Sequence, residues 1–436
     1  MRSTVLLPAS IVALVATSAS PARALQPLEA FLAGAATQNP DVRVARATAT
    51  QRDAEVSKST APLLPSFEAK GTYTRNQYDV SFPASALGGS GGSTGQTLTI
   101  QPLNQLDATL ALTVPIVDIG GWMKRSAAKE TRSFAEADAR ATVSSIAKKV
   151  VQQYFQTLAN EAVLDAAKAT LAYAQENASL SATKREAGTA SELDVQRARG
   201  DVARAEQDLA TANLQLVTAR RSLESLSGVM PEPGGVLPPD DLHREGPLAQ
   251  WLGETDRNPN VQSALAARRS AESSVNAAKS AWLPTITGTA QERFTNAPSL
   301  ALRNNYYTLL ATASWKLDFS VPATVRQQNA AASVAVAKAD KARRDAGDAI
   351  FDDWHQIEAG LAKTQAARAQ VASTTAAAAL AAERYRGGIA TQIDVLQAEQ
   401  DAFKAQVARI QAEADLAYAR AALRLDSSQN APGTER

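Results

Sequence analysis

The sequence predicts a mainly α fold with a membrane β-barrel, built from a duplicated unit of long coiled-coil helices plus two strands. Three observations carry that expectation. The chain aligns with itself in two blocks, proline-free Ala-rich stretches repeat at heptad spacing, and four short segments alternate apolar with polar residues. Aromatic residues make up only 5% of the 436, so a compact core of large side chains is not expected.

The first element is a secretory leader over residues 1–24. Arg2 is its basic start, the stretch from Val5 to Val15 is apolar, and Ala22-Arg23-Ala24 is a small-residue cleavage site, so the mature chain begins at Leu25. That apolar stretch is shorter than the roughly 20 residues a spanning helix needs, and no later run supplies them. Membrane insertion must therefore use strands. The absence of cysteine excludes a disulfide framework, a thiolate nucleophile and a lipidated N-terminal cysteine. The two histidines, His243 in a Pro/Gly-rich linker and His355 in a helical stretch, have no Cys or second His beside them. No metal site and no cofactor is expected. Lys+Arg 45 against Asp+Glu 44 leaves no basic field, which excludes nucleic acid as a partner.

The duplication comes next. Asn39-Pro40-Asp41-Val42 matches Asn258-Pro259-Asn260-Val261, and Leu64-Pro65 matches Leu283-Pro284, both at an offset of 219. From Gly188 onward the offset is 200, pairing Gly188 with Gly388, Asp194-Val195 with Asp394-Val395 and Leu223 with Leu423. The first copy therefore carries 19 extra residues, assigned to the Gly/Ser-rich run in ASALGGSGGSTGQTLTIQPLN as a solvent-facing loop. The expected boundaries are a first repeat over 25–228, a linker over 229–257, a second repeat over 258–426 and a polar tail over 427–436.

Strands are expected at about 66–78 and 106–116 in the first repeat and at about 285–294 and 306–317 in the second. Phe67, Ala69, Gly71 and Tyr73 alternate with Ser66, Glu68, Lys70 and Thr72, and Leu106, Ala108, Leu110, Leu112 and Val114 alternate with Asp107, Thr109, Ala111 and Thr113. Ile286, Gly288 and Ala290 alternate with threonines, and Tyr307, Leu309, Ala311, Ala313, Trp315 and Leu317 follow the same period. Each is long enough to cross a bilayer when tilted. Trp122, Trp282, Trp315, Tyr73, Tyr306 and Tyr307 stand at or near strand ends, where interfacial aromatics belong. Four strands cannot close a transmembrane barrel, so several chains must share one.

A helix is expected from about Gly120 to Ala187, on the order of 100 Å long at 1.5 Å per residue. Beyond it Val195, Val202, Leu209, Leu216 and Leu223 repeat every seven residues, with Ala198, Ala205, Ala212 and Ala219 three positions behind. The second copy keeps its alanines at 398, 405, 412 and 419, but its other seam reads Val395, Ala402, Arg409, Leu416, Leu423. The charge at Arg409 predicts a face turned to water. AGTASELDV and GGIATQIDV are tight turns at 188–191 and 387–391. Gly188 and Gly388 end one helix in the left-handed conformation, Ser191 and Thr391 cap the next, and Asp194 and Asp394 sit in its first turn.

These turns, the paired Leu-Pro, the Asn-Pro at each repeat start and the duplication together resemble the TolC-like outer-membrane efflux protein family over nearly the whole mature chain. The resemblance implies a homotrimer whose 12-stranded barrel lies in the cell outer membrane of a Gram-negative type envelope and continues as an α-helical tunnel through the periplasm. It implies a passive exit duct in a tripartite efflux pump or a type I secretion system, docking onto a periplasmic adaptor (membrane fusion protein) and an inner-membrane transporter. Gly188, Thr189 and Ala190, with Gly388, Ile389 and Ala390, match the tips that meet the adaptor. Asp394 matches an aspartate that rings the tunnel's narrow end, with Gln397 where a second acid often stands, and Tyr385 matches an aromatic near the same closure. Ala390 lacks the arginine that locks some members shut.

No catalytic constellation is evident, and the chain is not expected to be an enzyme: its carboxylates are scattered along helices and no Gly-rich phosphate loop follows a strand. The competing reading is a soluble periplasmic coiled-coil adaptor or scaffold. It accounts for the heptads and the leader but not for the four alternating strands.

Overall fold

The computed structural model describes residues 25–83, 97–253, 255–297 and 303–427. The expected leader, the Gly/Ser-rich run and all of the tail but Ser427 lie outside the described residues. In chain order the elements are α1 (Leu28–Gln38), α2 (Pro40–Thr60), β1 (Ser66–Arg75), β2 (Val80–Pro83), β3 (Thr97–Gln101), β4 (Asn104–Asp118), α3 (Ile119–Glu186), α4 (Glu192–Ser227), α5 (Leu248–Leu252), α6 (Pro259–Lys279), β5 (Thr285–Thr295), β6 (Asn305–Ser314), α7 (Ser320–Arg386) and α8 (Gln392–Asp426). Both Asn-Pro pairs start helices. Asn39 accepts from the Asp41 amide at 2.9 Å, Asn258 accepts from the Asn260 amide at 2.9 Å, and the proline occupies the first helical position, where its missing N–H costs nothing.

The chain divides into two units. One takes the described residues of Ala35–Lys148, of Arg244–Glu358 and from Ala419 onward, and it holds the strands. Its main sheet is antiparallel in the order β1-β4-β5-β6. Phe67, Leu112, Ala290 and Leu309 stand opposite one another across the four strands, as do Lys70, Thr109, Arg293 and Tyr306 on the other face. The polar face carries an ion pair from Arg293 to Asp107 at 2.7 Å. On β4 the apolar face is the open one: Leu106 is 58% exposed and Ile116 60%, while Gln105, Asp107, Thr109 and Thr113 are half-covered. A sheet packed in water turns its apolar side inward, and β4 shows the reverse.

The strands depart from expectation in two ways. Among the described residues six form rather than four, because Thr97–Gln101, expected within a loop, pairs antiparallel with Val80–Pro83 as a separate two-stranded ribbon. Its run of Thr, Leu, Thr and Ile has the β-branched character that suits a ladder. Strand ends also differ. β1 stops at Arg75, where the Asn76 amide turns back to the Leu103 carbonyl at 2.8 Å, and β6 stops at Ser314, before Trp315 donates to the Trp282 carbonyl at 2.9 Å.

The other unit takes the described residues up to Gly34 with Lys149–His243 and Ala359–Tyr418, and it is helical. Ala198, Ala205, Ala212 and Ala219 are all buried, as the heptad spacing requires, whereas Val202 and Leu209 are half-buried. Arg409, where the seam predicts a face turned to water, keeps part of its side chain open to solvent. It is half-buried and pairs at 2.9 Å with Glu413 one turn on, whose other oxygen accepts from Arg368 at 2.9 Å. The carboxylate at i+4 supplies the arginine with a counter-charge on its own helix. The segment after Gly228 is held by Glu161, which accepts from Arg220 at 2.5 Å and from the Gly235 amide. Among the described residues no helix is long and apolar enough to cross a membrane.

Candidate functional site at the helical tips

α3 and α7 end in the same way. Gly188 and Gly388 have φ of 76° and 77°, and nothing lies within 4 Å of where a Cβ would stand on either. Their amides bond to the Arg185 and Tyr385 carbonyls at 2.9 and 3.1 Å, and the next amides, of Thr189 and Ile389, reach Lys184 and Arg384 at 2.8 Å each. This crossed pair of bonds is the Schellman closure, and it needs a residue free to enter the left-handed region. Two residues later the next helix begins. Ser191 accepts from the Asp194 amide at 3.2 Å while Asp194 accepts from the Ser191 amide at 3.1 Å, a reciprocal capping box. In the second tip Asp394 accepts from the Thr391 amide at 2.8 Å and from its hydroxyl at 2.6 Å.

The Leu/Ile-Asp-Val triplets divide their labour accordingly. Leu193 and Ile393 are exposed, the aspartates cap, and Val195 and Val395 are buried. Asp394 is open to solvent, and the hydrogen bonds from Thr391 hold its carboxyl below the usual range, so it is a fixed negative charge. Gln397, one turn on, is exposed, as are Gly188, Thr189, Gly388 and Ile389, while Ala190 and Ala390 are half-buried. Tyr385 is placed differently from these. It is 6% exposed, its hydroxyl lies 3.2 Å from the Ser181 hydroxyl, and Lys184 sits 4.1 Å over its ring and donates to its carbonyl. Gln392 completes this polar cluster, accepting from Ser181 at 3.2 Å. Asp394, Gln397, Gly388 and Ile389 are thus open to solvent, while Tyr385 is withdrawn among Ser181, Lys184 and Gln392.

Several charged groups in the helices escaped the reading of the sequence. Glu399 and Asp201 are both buried. Burial pushes the Glu399 carboxyl up to about 8, with Asp201 adding like charge, and burial also raises Asp201 against the pull of Arg204. The signal was present in the spacing: Glu399 stands four residues after Val395 and three before Ala402, on the buried stripe itself. Of the two histidines, His243 lies 2.6 Å from Asp241 and His355 packs on Phe351 with ring centroids 4.3 Å apart. Among the described residues no group of His, Cys, Asp and Glu is arranged to hold a metal ion.

A family described as Outer membrane efflux protein has a sequence model that matches residues 32–229 and 254–425. The chain belongs to that family. It is 25% identical over 388 residues to the toluene efflux pump outer membrane protein TtgC of Pseudomonas putida, covering 85% of this chain and 76% of the relative. The antibiotic efflux pump outer membrane protein ArpC of Pseudomonas putida matches at the same 25% identity and the same shares of 85% and 76%. Among solved structures, the Campylobacter jejuni CmeC outer membrane channel superposes with a TM-score of 0.78 at 18% identity, covering 94% of this chain and 88% of that one. A membrane protein from Pseudomonas aeruginosa gives a TM-score of 0.77 at 20% identity, over 92% and 93% of the two chains. These structural likenesses establish the fold. Membership in the family makes the chain an outer-membrane channel protein of efflux, and the soluble scaffold is not favoured.

Proposed function

We propose that three copies of this outer membrane efflux protein close one 12-stranded barrel, β1 of each copy pairing with β6 of the next, and that the barrel continues as a helical tunnel. The observation that carries this reading is the apolar face of β4 turned outward, together with a four-stranded sheet that ends on β1 and β6. Unpaired strand edges are untenable in hydrocarbon, because each N–H and C=O left without a partner costs several kcal/mol there. After each Asn-Pro come a helix, two strands of the main sheet, a long helix and a shorter helix, with the β2–β3 ribbon added between the two strands of the first copy; this order supports a duplicated unit, with expected repeats at 25–228 and 258–426 joined by 229–257.

In this reading the tips at 188–191 and 387–391 dock a periplasmic adaptor that joins the duct to an inner-membrane transporter. Asp394 forms a ring of three negative charges at the narrow end, with Gln397 beside it, and Tyr385 stiffens the closure from within. The duct is passive and needs no catalytic group, since the transporter supplies the energy. The toluene and antibiotic efflux of its relatives leads us to assign small organic compounds as cargo.

The deciding measurement is the mass, in detergent, of protein extracted from the outer-membrane fraction. A particle of three chains is expected, and single cysteines introduced along β1 and β6 of this cysteine-free chain should crosslink only between copies. A water-soluble monomer or dimer in the periplasmic fraction would overturn the reading.

A further inference from the structure

A groove of about 400 Å³ lies between α3, α7 and α8, walled by Ala169, Tyr173, Ala378, Ala402 and Phe403. That size falls within the range of about 300–1,000 Å³ typical of small-molecule sites. One acid stands in this apolar wall. Glu399 is 9% exposed, and its Oε1 has no hydrogen-bond partner. The charge acting on it from α4 is Asp201, also negative and itself held by Arg204. The charges around Tyr173 are Glu176 and Arg386, which pair with each other at 3.3 Å. Glu399 is thus a buried carboxyl whose ionised form nothing in its surroundings balances, beside two aromatic rings. Such a group keeps its proton, and its ionised form is costly unless a cation of the right shape completes it.

We propose that this groove binds an amphiphilic organic cation, with Tyr173 and Phe403 receiving its apolar body and the Glu399 carboxylate receiving its charge. Aromatic faces attract a quaternary ammonium through their negative quadrupole, and a carboxylate with an oxygen to spare supplies the counter-charge. The groove is built from a single chain and does not depend on the tips or on the adaptor. Near neutral pH the Glu399 carboxyl carries its proton, because burial and Asp201 raise it. Binding therefore breaks the carboxyl O–H bond, releases that proton to the buffer and forms an ion pair, leaving the net charge of the groove unchanged.

Calorimetric titration of the full-length protein in detergent with benzyltrimethylammonium chloride tests this, using buffers of different protonation enthalpy. The probe keeps its charge at every pH, so any proton released comes from the protein. We expect about one proton released per cation near pH 7, falling toward none above about pH 9, and affinity rising about tenfold per pH unit below about pH 8. Glu399→Gln should abolish the release and weaken binding at least about tenfold. Phe403→Ala should weaken binding while the proton is still released. Absence of saturable binding, or release unchanged in Glu399→Gln, would overturn the proposal. Should that variant fail to assemble, the proton count on the unaltered protein decides alone, and a flat affinity between about pH 6 and 9 would reject the site.

Discussion

Asp353 on α7 and Asp426 at the end of α8 share the ammonium of Lys148 on α3, at 3.5 and 2.6 Å. Asp353 is 6% exposed, and burial pushes its carboxyl up to about 7; Lys148 opposes the rise and the neighbouring Asp426 adds to it. Two carboxylates facing one ammonium leave one acid holding a proton. In the unfolded chain an aspartate ionises near pH 3.9. The folded chain therefore binds one more proton than the unfolded one between about pH 4 and pH 7. The stabilisation is complete below about pH 4 and is lost at about 1.4 kcal/mol per pH unit until about pH 7. Three units bound the loss at about 4 kcal/mol, and relaxation of the site brings a realistic figure to about 1–3 kcal/mol. Asp353→Asn puts a neutral donor where the protonated carboxyl stood and keeps the Lys148 to Asp426 pair. The variant should match the parent within about 1 kcal/mol near pH 4.5 and exceed it by about 1–3 kcal/mol at pH 8. Urea unfolding of the detergent-solubilised protein, followed by helical circular dichroism across this range, measures the difference. Glu399 contributes its own decline up to about pH 8 in both proteins and so cancels. Parallel pH profiles, or an Asn variant less stable at pH 8, would refute the shared-proton argument.

Three other substitutions separate local strain, packing and charge. Gly388→Val meets open space at a φ of 77°, so its cost is backbone alone, about 1–2 kcal/mol; trimers should persist in detergent while drug susceptibility rises, and unchanged susceptibility would remove the tip from docking. Gly34→Ala is the contrasting case, since its Cβ would stand 2.6 Å from the Ser227 carbonyl oxygen and 2.6 Å from Val229 Cγ2; a loss of about 1–3 kcal/mol should appear in the same urea assay. Asp394→Asn should lower the cation preference of the open channel in planar bilayers, and a reversal potential equal to the parent's would exclude Asp394 from the gate.

Local chemistry made much of this protein legible in one dimension. Gly388 and the Thr391/Asp394 cap act within a few residues of each other, so the Schellman closure and the capping bonds follow from neighbours in the chain. The apolar period of β4 and the alanines of α4 likewise report which face is covered, because strand and helix repeats are properties of the backbone. The ribbon of β2 and β3 was not legible, since Thr97–Gln101 is a strand only by pairing with Val80–Pro83 across the intervening run. Nor were the partners of Arg409 and Glu399. Arg409 stands on the seam between Ala402 and Leu416 and finds Glu413, while the spacing that sets Glu399 beside the buried stripe does not tell that it finds Asp201 and an apolar groove. The sequence by itself determined the turns, caps, periods and family, because those depend on spacing along the chain. Only the tertiary structure decided that Tyr385 is withdrawn, that Asp353 and Asp426 share one lysine, and that Glu399 lacks a counter-charge. Each of these depends on which helices meet, and the energy of a buried charge is set by what stands across from it.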